Sequence, residues 1–150
     1  MSREIPEYGQ VVEVLKSVLY NLPPKIVAIN GRDGAGKTTL GRFLSWTFNS
    51  TLIETDLFYD SGSDSYHLQQ ISDLINRRLC KKCPVFVEGI RVLEVLEKTD
   101  HQPNFFIYLQ NKNYKSSKKL KAMLDKYDKT YTPKKRANIC IVAKYPKSPH

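Results

Sequence analysis

The chain has 150 residues, enough for one domain with a sizeable core and small for an α/β nucleotide enzyme. With 41% hydrophobic and 26% charged residues and no apolar run of membrane-spanning length, the composition excludes a disordered chain and a helical membrane protein. The net charge of +9 is unevenly placed: residues 1–109 hold 12 Lys and Arg against 13 Asp and Glu, and residues 110–150 hold 12 against 2. A C-terminal quarter of net +10 calls for a polyanion, either nucleotide phosphates or nucleic acid. Three cysteines form no disulfide framework, and "MSREIPEYGQ" lacks a signal-peptide core. These features lead us to expect a cytoplasmic protein with reduced thiols and no membrane association.

In chain order, residues 6–20 read as a helix whose Val11, Val12, Val14, Leu15, Val18 and Leu19 make a broad apolar face. "NLPP" (21–24) ends it, and residues 1–24 form an N-terminal helix and linker. "KIVAIN" (25–30) is a short β-branched run, read as a buried strand. Downstream, Leu40, Phe43, Leu44 and Phe48 recur at helical spacing. Between strand and helix lies "GRDGAGKTT", residues Gly31 to Thr39. Residues 31–38 fit G-x-x-x-x-G-K-[ST] without a gap. A glycine-rich turn entering a helix can aim several backbone N–H groups at one anion, helped by the positive end of the helix. Such a loop predicts a nucleoside triphosphate, held by Gly31, Arg32, Asp33, Gly34, Ala35, Gly36, Lys37, Thr38 and Thr39. Lys37 reaches the β- and γ-phosphates and the Thr38 hydroxyl ligates Mg²⁺.

"TLIETD" (51–56) predicts a second strand ending in carboxylates, "LFYDSGSDS" a loop, and residues 66–79 a helix with Leu68, Ile71, Leu74, Ile75 and Leu79 on one face. "PVFVEGI" (84–90) is a third strand, "RVLEVLEKT" a short helix, "NFFIYLQ" (104–110) a fourth strand and "NICIVA" (138–143) a fifth. Strands alternating with helices imply a three-layer α/β fold, with a parallel sheet of about five strands covered on both faces, in a single domain over 1–150. Ligands in such sheets lie outside the carboxyl ends of the strands. Asp56 and Glu88 both fall there, and phosphoryl transfer needs a carboxylate for the acceptor hydroxyl and another for the metal shell. We therefore expect Lys37, Asp56 and Glu88 to carry catalysis, with Thr38, Glu88 and Asp56 around Mg²⁺. Glu54, on the same sheet face as Asp56, is the substitute.

"IVAINGRDGAGKTTL", "DLFY" and "VFVEGI", in that order, resemble the uridine kinase family of P-loop nucleoside kinases, with related pantothenate, phosphoribulose and nicotinamide riboside kinases. The resemblance implies a P-loop NTPase fold and ATP-Mg²⁺-dependent phosphorylation of a small-molecule hydroxyl. It implies that Asp56 is the carboxylate near that hydroxyl and that Glu88 serves the Mg²⁺ site. "YTPKKRANICI" (131–141) is similar to the family's closing segment. The chain departs from the family in the short stretch between "DLFY" and "VFVEGI", where the nucleoside-holding hairpin and Asp-His-Pro element are not apparent. It also carries lysines (Lys112, Lys115, Lys118, Lys119) where the family has an arginine-rich lid, and only "KYPKSPH" follows the last strand.

We expect Lys115, Lys118 and Lys119 to close over the triphosphate from a basic lid over 111–136. The competing reading is a non-catalytic nucleotide-binding module that grips nucleic acid through Tyr114, Tyr127, Tyr131 and the lysines between 112 and 136. Arg91 lies where it could touch substrate or phosphate, or be a surface charge. Cys80-x-x-Cys83 lacks a second ligand pair, and Cys140 stands apart in a strand.

Overall fold

Five of the apolar runs pair side by side as parallel strands. The structure is a computed structural model that describes residues 6–111 and 116–143. The sheet is built from β1 (Ile26–Asn30), β2 (Thr51–Glu54), β5 (Val85–Gly89), β6 (Phe105–Asn111) and β7 (Ile139–Ala143), in the order β2-β5-β1-β6-β7. The remaining strands, β3 (Tyr59–Asp60) and β4 (Ser65–Tyr66), form a separate antiparallel hairpin. β1 is central, with Ile29 beside Glu88 of β5 and beside Ile107 of β6. Every strand neighbour in the main sheet is parallel, so each connection must cross a face, and helices supply the crossings.

The strand alternation builds two cores. Val27, Ile29, Phe86, Ile107, Leu109 and Ile141 face α1 (Pro6–Val18) and α2 (Lys37–Thr47), meeting Val11, Leu15, Leu40 and Leu44. Ile26, Ala28, Val85, Val87 and Phe106 face the other way. They meet Ile71 and Ile75 of α3 (Leu68–Cys80), Val92, Val95 and Leu96 of α4 (Val92–Lys98), and Tyr127 of α5 (Lys118–Tyr131). A one-turn helix, α6 (Pro133–Arg136), precedes β7. Among the described residues no helix is long and apolar enough to cross a membrane.

One segment differs from the sequence expectation. Residues 57–65, read as a loop, hold part of a 3-10 turn (Thr55–Phe58) and the β3–β4 hairpin, where Tyr59 faces Tyr66 with ring centroids 5.1 Å apart. The cross-strand aromatic pair and the turn residues between suffice to close so short a ladder. A short hairpin therefore lies at the end of "DLFY", where a loop was expected. The basic segment is helical over much of its length, as its sequence suggests: residues 118–131 form a helix anchored by buried Leu124 and Tyr127. Lys112, Lys115 and Tyr114 lie outside the described residues.

Candidate active site at the strand ends

The loop 31–36 runs from the end of β1 into α2. Gly36 is the residue before the helix and has φ of 94°, a left-handed conformation that glycine adopts at no steric cost. With glycine there, no side chain caps the helix, and its first amides keep no intrahelical acceptor. A Cβ at Gly31 would collide with the Leu109 carbonyl of β6, so the loop lies tight on the sheet edge. Thr38 is half-buried and Thr39 exposed on the first turn.

Lys37 is buried, 6% exposed, and its Nζ donates to the Arg32 carbonyl at 3.0 Å. Burial lowers its pKa, while the charges of Glu88, Asp56 and Asp33 pull it back up. Glu88 lies on the α2 face of β5, with 1% exposure. The Thr38 hydroxyl donates to its Oε1 at 3.2 Å, whereas Oε2 is buried without a hydrogen-bond partner among the described residues. Burial raises the Glu88 pKa to about 7, Lys37 opposing and Asp56 adding to the shift. A carboxylate this far out of water needs a cation, and a carboxylate beside a hydroxyl suits a hard, oxygen-seeking ion such as Mg²⁺, which takes few protein ligands and completes its shell with phosphate and water. Glu88 and Thr38 thus fit the ion; among the described residues no cluster of three His, Cys, Asp or Glu offers another site.

The end of β5 is fitted to its neighbour. The Thr55 hydroxyl donates to the Glu88 carbonyl at 2.9 Å, and a Cβ at Gly89 would strike that hydroxyl. The contact holds the 3-10 turn against β5, and Asp56, the next residue, is exposed at the mouth of the site. Asp56 lies within electrostatic reach of Lys37, Glu88 and Tyr66. Glu54, the substitute acid, is engaged by Arg42 of α2 at 2.8 Å.

Several contacts were not evident from sequence. Arg32 turns its guanidinium to α5, pairing with Asp125 at 2.6 Å and Asp128 at 2.8 Å. These are the two acids of residues 110–150. Tyr127 donates to the Asn30 side chain at 2.5 Å and accepts from the Leu93 amide at 3.1 Å, tying α5 to the root of the loop. The Ser116 hydroxyl donates to Asp33. Tyr131 stacks on Tyr127 at 5.0 Å. Tyr127 is therefore core, which removes it from the base-stacking surface the nucleic-acid reading needed. Lys118 and Lys119 are exposed on the first turn of α5. A cavity of about 480 Å³ opens beside the loop, between Arg32, Asp33, Tyr108, Asn111 and Asp128. The three cysteines are free, with Cys80 and Cys83 at the end of α3 and Cys140 on β7.

No protein-family model matches the chain, and no curated protein is significantly similar to it. Solved structures are. That of a possible uridine kinase from Bacillus stearothermophilus aligns over 89% of this chain and 97% of its own, at 15% identity and a TM-score of 0.57. Shikimate kinase from Acinetobacter baumannii (16% identity, 87% and 89% coverage) gives a TM-score of 0.49. Thymidylate kinase from Candida albicans (10% identity, 82% and 86% coverage) gives 0.48. The fold of this chain is thus the three-layer α/β P-loop NTPase fold, shared with a uridine kinase-like structure.

Proposed function

We propose that the chain is a small P-loop kinase that transfers the γ-phosphoryl group of ATP to a hydroxyl of a nucleoside-like or other small metabolite. The observation that carries this reading is the grouping of Lys37, Thr38 and a buried, half-unpaired Glu88 at the loop, with Asp56 exposed beside them. In this reading the loop amides and Lys37 hold the β- and γ-phosphates. Thr38 and Glu88 hold Mg²⁺, which when bound supplies positive charge to the phosphates. Asp56 orients the acceptor hydroxyl and takes its proton. The acceptor oxygen bonds to the γ-phosphorus, the bond from that phosphorus to the β–γ bridging oxygen breaks, and ADP leaves with the electron pair. Lys118 and Lys119 neutralise phosphate from the start of α5, with Lys115 three residues before it in sequence, and the cavity beside Arg32 and Tyr108 receives the rest of the nucleotide.

The second reading is a nucleotide-binding module without catalysis, with nucleic acid on the exposed cations of α5 and α6. It is favoured by Lys118, Lys119, Lys121, Lys126, Lys134, Lys135 and Arg136, all exposed. An ATP-consumption screen against nucleosides, ribosyl compounds and pantothenate-like alcohols separates the two. ADP formation that requires one acceptor supports the kinase. Mg-ATP binding with no turnover on any acceptor supports the module, as does tight oligonucleotide binding that falls steeply with salt.

A further inference from the structure

The two halves of the site meet at Glu88. Its Oε1 accepts from the Thr38 hydroxyl of the loop at 3.2 Å, and its backbone carbonyl accepts from the Thr55 hydroxyl at 2.9 Å. The second bond falls where the β2–β5 ladder ends: Glu54 lies beside Glu88, and Thr55 begins the 3-10 turn. Thr55 is 0% exposed. Its side chain thus adds one more rung where the chain leaves the sheet, and the next residue is Asp56. Gly89 makes room for that rung. Among the described residues the glycines with positive φ are Gly34 and Gly36, so backbone conformation does not demand glycine at 89. Space does, since a Cβ there would collide with the Thr55 hydroxyl. Asp56 is exposed, so its own burial does not fix it in place. Phe58 packs against the core at the far end of the turn, and the Thr55 bond is the polar tie at the near end.

Resting on the kinase reading, we infer that Thr55 is a positioning residue: its hydroxyl holds Asp56, the acceptor's carboxylate, at a set spacing from Glu88, the metal's carboxylate, and Gly89 leaves the room that this bond needs. The hydroxyl acts through Asp56 and touches no reactant. Glu88 itself is fixed by the ladder on both sides, beside Ile29 of β1 and Glu54 of β2, so the turn is the part that is free to shift. Asp56 lies within electrostatic reach of Glu88 and Lys37, and a shift of the turn changes its place relative to the γ-phosphate. A displacement on the order of 1 Å at a reacting centre costs about 10²-fold in rate. Nucleotide binding does not share this dependence, because Lys37 and Thr38 stand on α2. Thr55 therefore governs kcat and leaves KM for Mg-ATP alone.

The test uses the full-length chain, Mg-ATP and the acceptor found by the ATP-consumption screen. T55V removes the hydroxyl and keeps a β-branched side chain of similar size, whereas T55S keeps the hydroxyl. T55V is expected to lower kcat by roughly 10–100-fold with KM for Mg-ATP unchanged, and T55S to keep the wild-type value. G89A, whose methyl displaces the hydroxyl, should reproduce T55V. Because Thr55 acts through Asp56, the T55V loss should vanish in a chain that already carries D56N. Thermal stabilisation by Mg-ATP should persist in every variant, reporting that the fold and the loop are intact. Amide hydrogen exchange of the ligand-free protein gives a readout that needs no turnover. The Tyr59 amide, which donates to the Asp56 carbonyl, should exchange faster in T55V and G89A than in wild type and T55S. Faster exchange with unchanged kcat, or the same fold loss with and without D56N, overturns the positioning role and leaves the kinase reading standing. Unchanged exchange in T55V overturns the role as well, since the bond then holds nothing in place. A wild type that phosphorylates no acceptor overturns the kinase reading, and the positioning role with it.

Discussion

The Thr38 hydroxyl and the Glu88 carboxylate, fifty residues apart in sequence, meet at 3.2 Å because α2 packs on the face of β5 that carries Glu88. This pair leaves Glu88 Oε2 open in a buried setting. Glu88→Gln is therefore expected to weaken the dependence of ATP binding on Mg²⁺, by ~10–100-fold in apparent metal affinity, as for supporting residues of metal sites. Isothermal titration of Mg²⁺ into the ATP complex measures it. An unaltered Mg²⁺ requirement would remove Glu88 from the metal shell.

Glu88 also predicts a pH dependence of the ligand-free protein. Its folded pKa, about 7, lies above the ordinary carboxylate value of 4.5 because burial penalises the charged form. The unfolded chain releases that proton first, so stability is highest below pH 4.5 with respect to this group and falls as pH rises towards 7. The loss is on the order of 3 kcal/mol at most, by the usual conversion of a pKa difference. Lys37 acts with the opposite sign, since its lowered pKa favours folding as pH rises. The comparison that isolates Glu88 is urea denaturation from pH 5 to 8 of wild type against Glu88→Gln, in EDTA. The variant should lose the decline; parallel curves would show that Glu88 does not titrate here.

Lys37 is buried with one carbonyl on its Nζ. Lys37→Ala should abolish the rise in melting temperature produced by Mg-ATP, because the phosphates lose their main cationic contact. A variant stabilised by Mg-ATP as much as wild type would refute the loop assignment.

Asp56 is exposed and held in place by the Thr55–Glu88 contact, so Asp56→Asn should leave the fold and Mg-ATP stabilisation intact. Turnover should fall by ~10²–10⁴-fold, the usual contribution of a positioned general base. Steady-state kinetics with the acceptor found by the screen decide this. Undiminished turnover would exclude Asp56, and Glu54, already committed to Arg42, would be a poor replacement.

The Arg32 pairs with Asp125 and Asp128 make α5 a neighbour of the loop and not a free flap. The double change Asp125→Asn, Asp128→Asn should weaken Mg-ATP binding several-fold and speed proteolysis between 112 and 119 in the presence of ATP. The effect is modest because the pairs are partly exposed. Limited proteolysis with and without ATP is the readout, and indifference to both changes would mean that Tyr127 and Leu124 alone hold the helix.

What the sequence determined by itself was local in nature. The strand–glycine loop–helix unit at 25–48 is written in contiguous residues, and the β1, β5 and β6 runs are apolar enough to demand burial on both faces. Their alternation with helical periods leaves few topologies besides a parallel three-layer sheet. The grouping of Asp56 and Glu88 at strand ends follows from the same reasoning. Tertiary structure decided everything that depends on distant partners. The strand order β2-β5-β1-β6-β7 is what puts Thr38 against Glu88. The hairpin was hidden because two-residue strands have no period to detect, and the spaced Tyr59 and Tyr66 were its trace in the sequence. Arg32 looked like a loop residue, and only the packing of α5 showed it answering Asp125 and Asp128. Tyr127 looked like a base-stacking aromatic until burial assigned it to the core. Side-chain chemistry can be read along the chain; which charges are desolvated together is settled only when the sheet brings them within a few ångströms, because electrostatic strength depends on distance and on the water excluded.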